Sequence, residues 1–180
     1  SDDVYALELL SGLLDGGNSS RFSKNLVRGS QIASSVGAGY SMYALHDSLF
    51  TISAIPSNGT SMDDMEAAII AQIKALQDEL PTEDELARVK AQVVASSVFE
   101  QDSSFYQAMK IGIMETVGLG WQTKDEYVDR INAVTAEQVQ RVARKYFIED
   151  HLTVAELIPQ STEVKLSASG NVNAGETHAH

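Results

Sequence analysis

The sequence predicts an α+β fold that contains a pair of antiparallel strands and several helices. Apolar and β-branched residues in segments 32–40 and 49–55 predict two strands. Most of the remaining chain up to residue 147 instead spaces its apolar residues at the helical period. Since helices and strands do not alternate regularly, a doubly wound sheet is disfavoured. We expect one domain over residues 1–159 and a flexible polar tail over residues 160–180.

The first predicted helix runs from Val4 to Leu14, because its apolar residues recur every three or four positions. Two glycines, Gly16 and Gly17, are typical of a helix end. Asn18 and the two serines that follow it offer caps for a second, short helix. The chain therefore predicts two successive helices before its first strand.

Three strands are predicted in all. Ile32–Tyr40 and Leu49–Ile55 are expected to be antiparallel neighbours, and Leu152–Ile158 is expected to form the last strand. So small a sheet would leave two open edges. We therefore expect one or more first strands of the same sheet upstream of Ser1.

The region between the second and third strands predicts several helices. The stripe of apolar residues from Met62 to Leu80 predicts a long helix that Pro81 ends. A further helix is predicted over residues 105–117. Three capping boxes mark other helix starts, at Thr82-x-x-Glu85, Thr123-x-x-Glu126 and Thr135-x-x-Gln138.

Composition excludes several classes of partner and site. A net charge of −12 and a pI near 4.6 argue against binding to nucleic acid or to anionic membrane surfaces. No apolar run approaches the ~18 residues that a membrane-spanning helix needs. The absence of cysteine rules out disulfides, thiolate zinc sites and cysteine nucleophiles. We predict no nucleic-acid partner and no membrane partner.

The four histidines do not form a zinc motif. They are His46, His151, His178 and His180, and no two of them are arranged as H-x-x-E-H. His46 is expected in a hairpin turn and His151 between a helix and a strand, while the last two belong to the polar tail. We predict no metal site, no cofactor and no catalytic residue in this chain.

Three blocks of sequence resemble the second-type domain of the pitrilysin/insulinase family of zinc peptidases. The first is Leu13-Leu14-Asp15-Gly16-Gly17-Asn18-Ser19-Ser20-Arg21-Phe22 with Leu26-Val27-Arg28. The second is Pro81-Thr82-Glu83-Asp84-Glu85-Leu86-Ala87-Arg88-Val89-Lys90-Ala91-Gln92, and the third is the closing stretch 131–159. Each block is weak alone, but their order and separation are specific. The chain is similar to one LuxS/pitrilysin-like half-domain.

This resemblance implies an α+β domain with a mostly antiparallel sheet and helices packed on one face, and it also implies a role. Two such domains form a half, and two halves close over a peptide like a clamshell. Zinc lies in a first-type domain on an H-x-x-E-H motif, where the glutamate activates water. Second-type domains bind substrate and close the chamber. The resemblance thus implies a non-catalytic chain whose zinc-binding catalytic domain lies upstream or in another chain.

The resemblance also implies partners and a location. The expected ligand is a peptide or an unfolded polypeptide, bound by a homo- or heterodimer or by a longer chain. Peptide addition at an open sheet edge is one way to bind it. A bacterial periplasm is the expected compartment, with a mitochondrion or chloroplast as the alternative.

Arg28 and Tyr40 are the candidate substrate-binding residues. In active family members, an arginine at the position of Arg28 and a tyrosine seven residues later contact the substrate backbone. A guanidinium can bind a peptide carbonyl and stabilise charge that develops on it. Here the seventh residue is Ser35, and Tyr40 lies five residues further on. Either Tyr40 partly substitutes for the missing tyrosine, or the domain lacks this role.

Two other functions remain open at this point. Some members of the family that the chain resembles have lost catalysis and serve as structural or assembly subunits, and the broken Arg–Tyr pair fits that role. An unrelated α+β binding module would follow if the three-block resemblance were accidental. A substrate-binding domain should be sensitive to substitution of Arg28, whereas a structural subunit should not.

Overall fold

A computed structural model describes residues 1–100 and 102–158. Along the chain these residues form α1 (Asp3–Asp15), a π-helix (Ser23–Gly29), β1 (Ala33–Tyr40), β2 (Phe50–Pro56), α2 (Met62–Asp78), α3 (Glu83–Glu100), α4 (Ser104–Thr116), α5 (Thr123–Ala133), α6 (Ala136–Tyr146) and a 3₁₀ turn (Glu149–His151). The predicted α+β class is confirmed. The predicted tail, 160–180, lies outside the described residues. Within those residues, no helix combines the length and apolar character that crossing a bilayer requires.

Helix α1 is the most buried element of the fold. It contacts β1, α3, α5 and α6, so apolar side chains on nearly every side of it are covered. Its fully buried residues include Leu9, Leu10, Leu13 and Leu14. One residue, Gly12, lets α3 approach closely: a Cβ at this position would lie 2.5 Å from Val89 Cγ1. The small size of Gly12 therefore sets the separation of α1 and α3.

An ion-pair network joins the start of α1 to α6. Asp3 is buried, and its carboxylate accepts hydrogen bonds from Lys145 Nζ at 2.6 Å, Arg141 Nη2 at 2.8 Å and the Tyr146 hydroxyl at 3.0 Å. The bond from Lys145 lowers the pKa of Asp3 most, and the bonds from Tyr146 and Arg141 add to this against the opposing effect of burial. The network fixes how α6 lies along α1.

The two strands form the expected antiparallel hairpin. Ala38 is opposite Ile52 and Tyr40 is opposite Phe50, with an irregularity between Ala33 and Ser35. The outer edge of β1 is bonded to α1 at Ala38, whose N–H donates to Asp15 Oδ2 at 3.1 Å and whose carbonyl accepts from Ser11 Oγ at 3.3 Å. One face of the hairpin packs on the core, through residues Val36, Ala38, Tyr40, Phe50, Ile52 and Ala54.

The prediction of a third strand at Leu152–Ile158 is wrong. These residues follow the 3₁₀ turn and pair with no strand in the described part of the chain. Their apolar side chains are exposed, up to 87% at Leu157. The composition favours an extended chain, but a strand also requires a neighbour for its backbone hydrogen bonds, and none is present among these residues.

Helix boundaries agree with two of the three predicted capping boxes. Thr82 and Glu85 bond reciprocally, as do Thr135 and Gln138. The box at Thr123 is wrong: α5 has no side-chain cap, and the Thr123 hydroxyl donates to the carbonyl of Leu119. A glycine-rich turn starts this helix instead. Leu80, predicted inside the α2 stripe, lies beyond the end of α2 and is 45% exposed.

Replacement of Gly12 by alanine is expected to destabilise the fold by about 1–3 kcal/mol, because the added methyl group overlaps Val89. Urea unfolding gives the free energy. The matched control is Gly112→Ala in α4, where an added Cβ meets nothing within 4 Å. That change is expected to stabilise by about 0.5–1 kcal/mol. Equal effects of the two substitutions would contradict the close contact between α1 and α3.

Replacement of Asp3 by asparagine is expected to cost about 1–3 kcal/mol at pH 7, because charged hydrogen bonds to α6 are lost. The lowered pKa of Asp3 makes this stabilisation complete above the unfolded-state pKa of about 4 and progressively lost at lower pH. Urea unfolding between pH 7 and pH 3 should therefore show a smaller gap between the two proteins in acid. The exposed Asp2, paired with Arg130, gives a control whose substitution has little effect.

Candidate functional site

Arg28 lies in the last turn of the π-helix, on an exposed surface. The wide turn is shown by the bond from the Ser30 N–H to the carbonyl of Asn25, five residues back, at 2.9 Å. The Arg28 guanidinium donates to the carbonyl of Asn18 in the turn after α1. This contact holds the side chain against the Gly16–Ser20 turn. Sequence spacing predicted a helix here but gave no signal for its π geometry.

The chain is strained where the π-helix leads into β1. Gln31 has φ +57°, a left-handed conformation that non-glycine residues adopt at a cost. Gly29 is tightly placed as well, because a Cβ there would lie 2.8 Å from the carbonyl oxygen of Lys24. Strained segments and π-bulges cluster at functional sites. Arg28 thus lies in a segment that combines π-helical and left-handed backbone conformations.

A charged fork anchors this segment to α3. Arg21 Nε and Nη2 donate to the two carboxylate oxygens of Glu85, each at 3.0 Å, and Glu85 also caps α3 through Thr82. Burial alone would raise the pKa of Glu85, but the bonds from Arg21 and Thr82 hold this pKa below its usual value. The bidentate geometry fixes the start of the π-helix relative to α3.

Arg28 lines a cleft of about 510 Å³, which we call the basic cleft; its residues are Ser19, Lys24, Arg28, Gly29 and Arg88. Every ionisable side chain in this set is a cation, although the chain as a whole carries −12. The Nε atom of Arg88 is buried and lacks a hydrogen-bond partner in the described part of the chain. The cleft is therefore suited to hydrogen-bond acceptors such as carbonyls and carboxylates.

Tyr40 lies elsewhere, at the end of β1. Its ring stacks on Phe50 with centroids 6.2 Å apart, and Phe50 in turn meets Phe147 edge to face at 4.8 Å. Burial raises the pKa of the Tyr40 hydroxyl. Tyr40 lines a different cavity from Arg28, so the two predicted site residues do not share one pocket. Their predicted role in substrate binding stays a prediction.

The cavity that includes Tyr40 has a volume of about 780 Å³ and lies between α1, α3 and α4; we call it the α1–α4 cavity. Its ionisable residues, apart from tyrosines, are Glu8, Glu100 and Lys110. Sequence reasoning missed this cavity. One signal was present: Glu8, Gly12 and Gly16 are spaced by four residues, and so place a carboxylate and two positions without side chains on one face of an otherwise apolar helix.

The described residues do not fit a zinc ion. Within residues 1–100 and 102–158, no group of three or more histidine, aspartate or glutamate side chains is placed to hold a metal. His46 is exposed in the β1–β2 loop, and His151 is exposed in the 3₁₀ turn. His178 and His180 lie outside the described residues.

Residues 1–93, which include α1, the π-helix, the hairpin and α2, match the family model described as the Peptidase M16 inactive domain. This match covers more than half of the chain. The chain belongs to the Peptidase M16 family, as an inactive domain. The predicted resemblance to a non-zinc domain of a zinc peptidase family is thereby confirmed.

Relatives of this M16 domain agree with that assignment. The uncharacterized zinc protease YmxG of Bacillus subtilis (strain 168) is 26% identical over 152 residues, which are 82% of this chain and 36% of YmxG. A Helicobacter pylori protease of known structure is 24% identical with a TM-score of 0.77, over 84% of this chain and 36% of that one. The chain thus spans about a third of the length of these two relatives.

A third relative has nearly the same extent. The inactive peptidase domain of a Bordetella parapertussis protein superposes with a TM-score of 0.79 and 19% identity, over 91% of this chain and 88% of that domain. At this identity the likeness concerns the fold. It supports an α+β M16 inactive domain as the architecture of the described residues.

The M16 domain is expected to retain well below one tightly bound zinc ion per chain after dialysis. Elemental analysis of the full chain measures this, and a His178→Ala/His180→Ala variant removes any loose binding by the terminal histidines. A stoichiometric zinc ion in that variant, lost on substitution of His46 or His151, would contradict the prediction.

Proposed function

We propose that this M16 domain binds substrate and closes the chamber of a zinc peptidase without contributing to catalysis itself. Hydrolysis would come from an H-x-x-E-H domain, either in the same chain or in a partner, and zinc would be held there. The match to an inactive domain is the observation that carries the proposal. The zinc protease name of YmxG, of which this chain spans 36%, supports it.

The basic cleft supports a role in peptide binding. Arg28 is exposed and held by one bond to Asn18, which leaves other guanidinium donors free to reach a carbonyl. Lys24 and Arg88 add positive charge to the same cleft. A peptide or unfolded polypeptide offers the carbonyl and carboxylate oxygens that such donors bind. Arg28 is the residue that we assign to this contact.

The proposal includes assembly with a catalytic domain, as a homo- or heterodimer or within a longer chain. Its support is the partial coverage of the two longer relatives. A periplasmic location stays a prediction, since neither the fold nor the relatives bear on the compartment.

A structural or assembly subunit without peptide binding is the second candidate. The observation that favours it is the separation of Arg28 and Tyr40 into different cavities, since a substrate-backbone contact by both residues needs one surface. In that case Arg28 would serve the local fold through its bond to Asn18.

Substitution of Arg28 distinguishes the two candidates. The probe is a fluorescein-labelled 12-residue peptide of alanine, serine and leucine with blocked ends, so that its backbone is the main source of acceptors. Fluorescence anisotropy should show binding that Arg28→Gln weakens about tenfold, as expected for loss of a charged hydrogen bond. Lys24→Gln in the same cleft is the matched control, with a loss of about threefold or less.

A second measurement tests the link to catalysis. The chain alone should show no peptide hydrolysis, whereas the assembly isolated from its source cells should contain zinc and hydrolyse peptides until a zinc chelator is added. Arg28→Gln should lower hydrolysis by that assembly. An assembly that neither binds the probe nor turns over peptides would favour the structural subunit instead.

A further inference from the structure

The α1–α4 cavity has the size and lining of a small-molecule pocket. Its volume of about 780 Å³ falls within the range of ligand pockets, about 300–1,000 Å³. Much of the wall is apolar or aromatic, from Val89, Val93, Met109 and Ile113 among others. Gly12 of α1 and Gly16, directly after this helix, form part of the floor. An aliphatic group of several carbons would be covered there.

The ionisable groups of the cavity leave one negative charge unmatched. Lys110 Nζ is paired with Glu100 Oε2 at 3.1 Å. Glu8, on the α1 wall, accepts no hydrogen bond from any described residue and is partly buried. Burial raises the pKa of Glu8, and the attraction to Lys110 opposes that rise. Both carboxylate oxygens of Glu8 are therefore free to accept hydrogen bonds from a ligand donor.

Two tyrosine rings of the cavity already contact a cation of the protein. The Lys110 ammonium lies 5.1 Å from the ring centroid of Tyr127 and 5.9 Å from that of Tyr43. Burial raises the pKa of Tyr43 to about 12, so this phenol is neutral near pH 7 and adds no anion. The Tyr43 hydroxyl is buried and has no hydrogen-bond partner within the described ranges.

We propose that the α1–α4 cavity binds an ammonium group carried on an aliphatic stem, with the ammonium donating to Glu8 and the stem covered by α3 and α4. An anionic ligand is disfavoured, because Lys110 already has Glu100 as its partner. This inference is independent of peptide binding at the basic cleft, since the two pockets share no residue. A lysine side chain of a polypeptide and a free alkylamine both carry this chemistry.

Hexylammonium is the probe, with hexanoate and hexanol as matched ligands of similar length. Titration of the full chain followed by ¹H–¹⁵N NMR should show saturable shifts of the Gly12 and Gly16 amides with hexylammonium, and much weaker shifts with the other two. Glu8→Gln should weaken hexylammonium binding about tenfold or more. Glu79→Gln, an exposed carboxylate at the end of α2 outside the cavity, is the control and should change nothing.

A second variant covers the case in which Glu8→Gln unfolds. Ser96→Trp places a large side chain in the cavity from an exposed position of α3, and should abolish the hexylammonium shifts with little change in melting temperature. Equal binding of hexanoate and hexylammonium would overturn the inference. So would unchanged hexylammonium affinity in folded Glu8→Gln or in Ser96→Trp.

Two short peptides separate the sources of the ammonium group. Acetyl-Ala-Lys-Ala-amide and its norleucine counterpart differ by the charged end of one side chain. Shifts of the same glycine amides with the lysine peptide alone would support the inference and assign a polypeptide lysine as the ligand. Shifts with hexylammonium but with neither peptide would support it for free alkylamines.

Discussion

The burial of α1 is the constraint on which the rest of this domain depends. An apolar helix covered on nearly every side must be enclosed by several elements at once, and each of them contacts α1 differently. Asp3 bonds to α6, Gly12 admits α3, and Ser11 with Asp15 bonds to the edge of β1. Without this central helix, the hairpin would lose its link to α3, α5 and α6. Helix α1 also forms one wall of the α1–α4 cavity, and the turn that follows it accepts the hydrogen bond from Arg28.

Local pattern was sufficient to predict most helices and the hairpin, because their apolar residues repeat at the period of the element they form. Capping boxes succeeded at Thr82 and Thr135, where the side chain and the backbone groups belong to the same four residues. The prediction of a strand at 152–158 was wrong for the opposite reason. Its formation depends on a neighbouring strand, and no local pattern reports whether that neighbour is present.

The candidate sites were less predictable because they depend on tertiary contacts. A family resemblance singled out Arg28, but the π geometry and the left-handed Gln31 that present it have no signature in the residue types. The α1–α4 cavity joins Glu8 to Lys110 across about a hundred residues of sequence. The spacing of Glu8, Gly12 and Gly16 places them on one face of the chain's first helix, yet it could not show what lies opposite that face.

The two pockets differ in how they relate to the charge of the whole domain. A net charge of −12 produces a field that attracts cations and repels anions over distances of about a Debye length, ~8 Å at physiological salt. This field would attract the ammonium group proposed for the α1–α4 cavity, whereas it would repel an anion from the basic cleft. Anionic groups would approach the cleft slowly, so the peptide binding that we propose there would depend on short hydrogen bonds to neutral peptide carbonyls. Arg28 suits that proposed role, because its planar donors impose direction as well as charge.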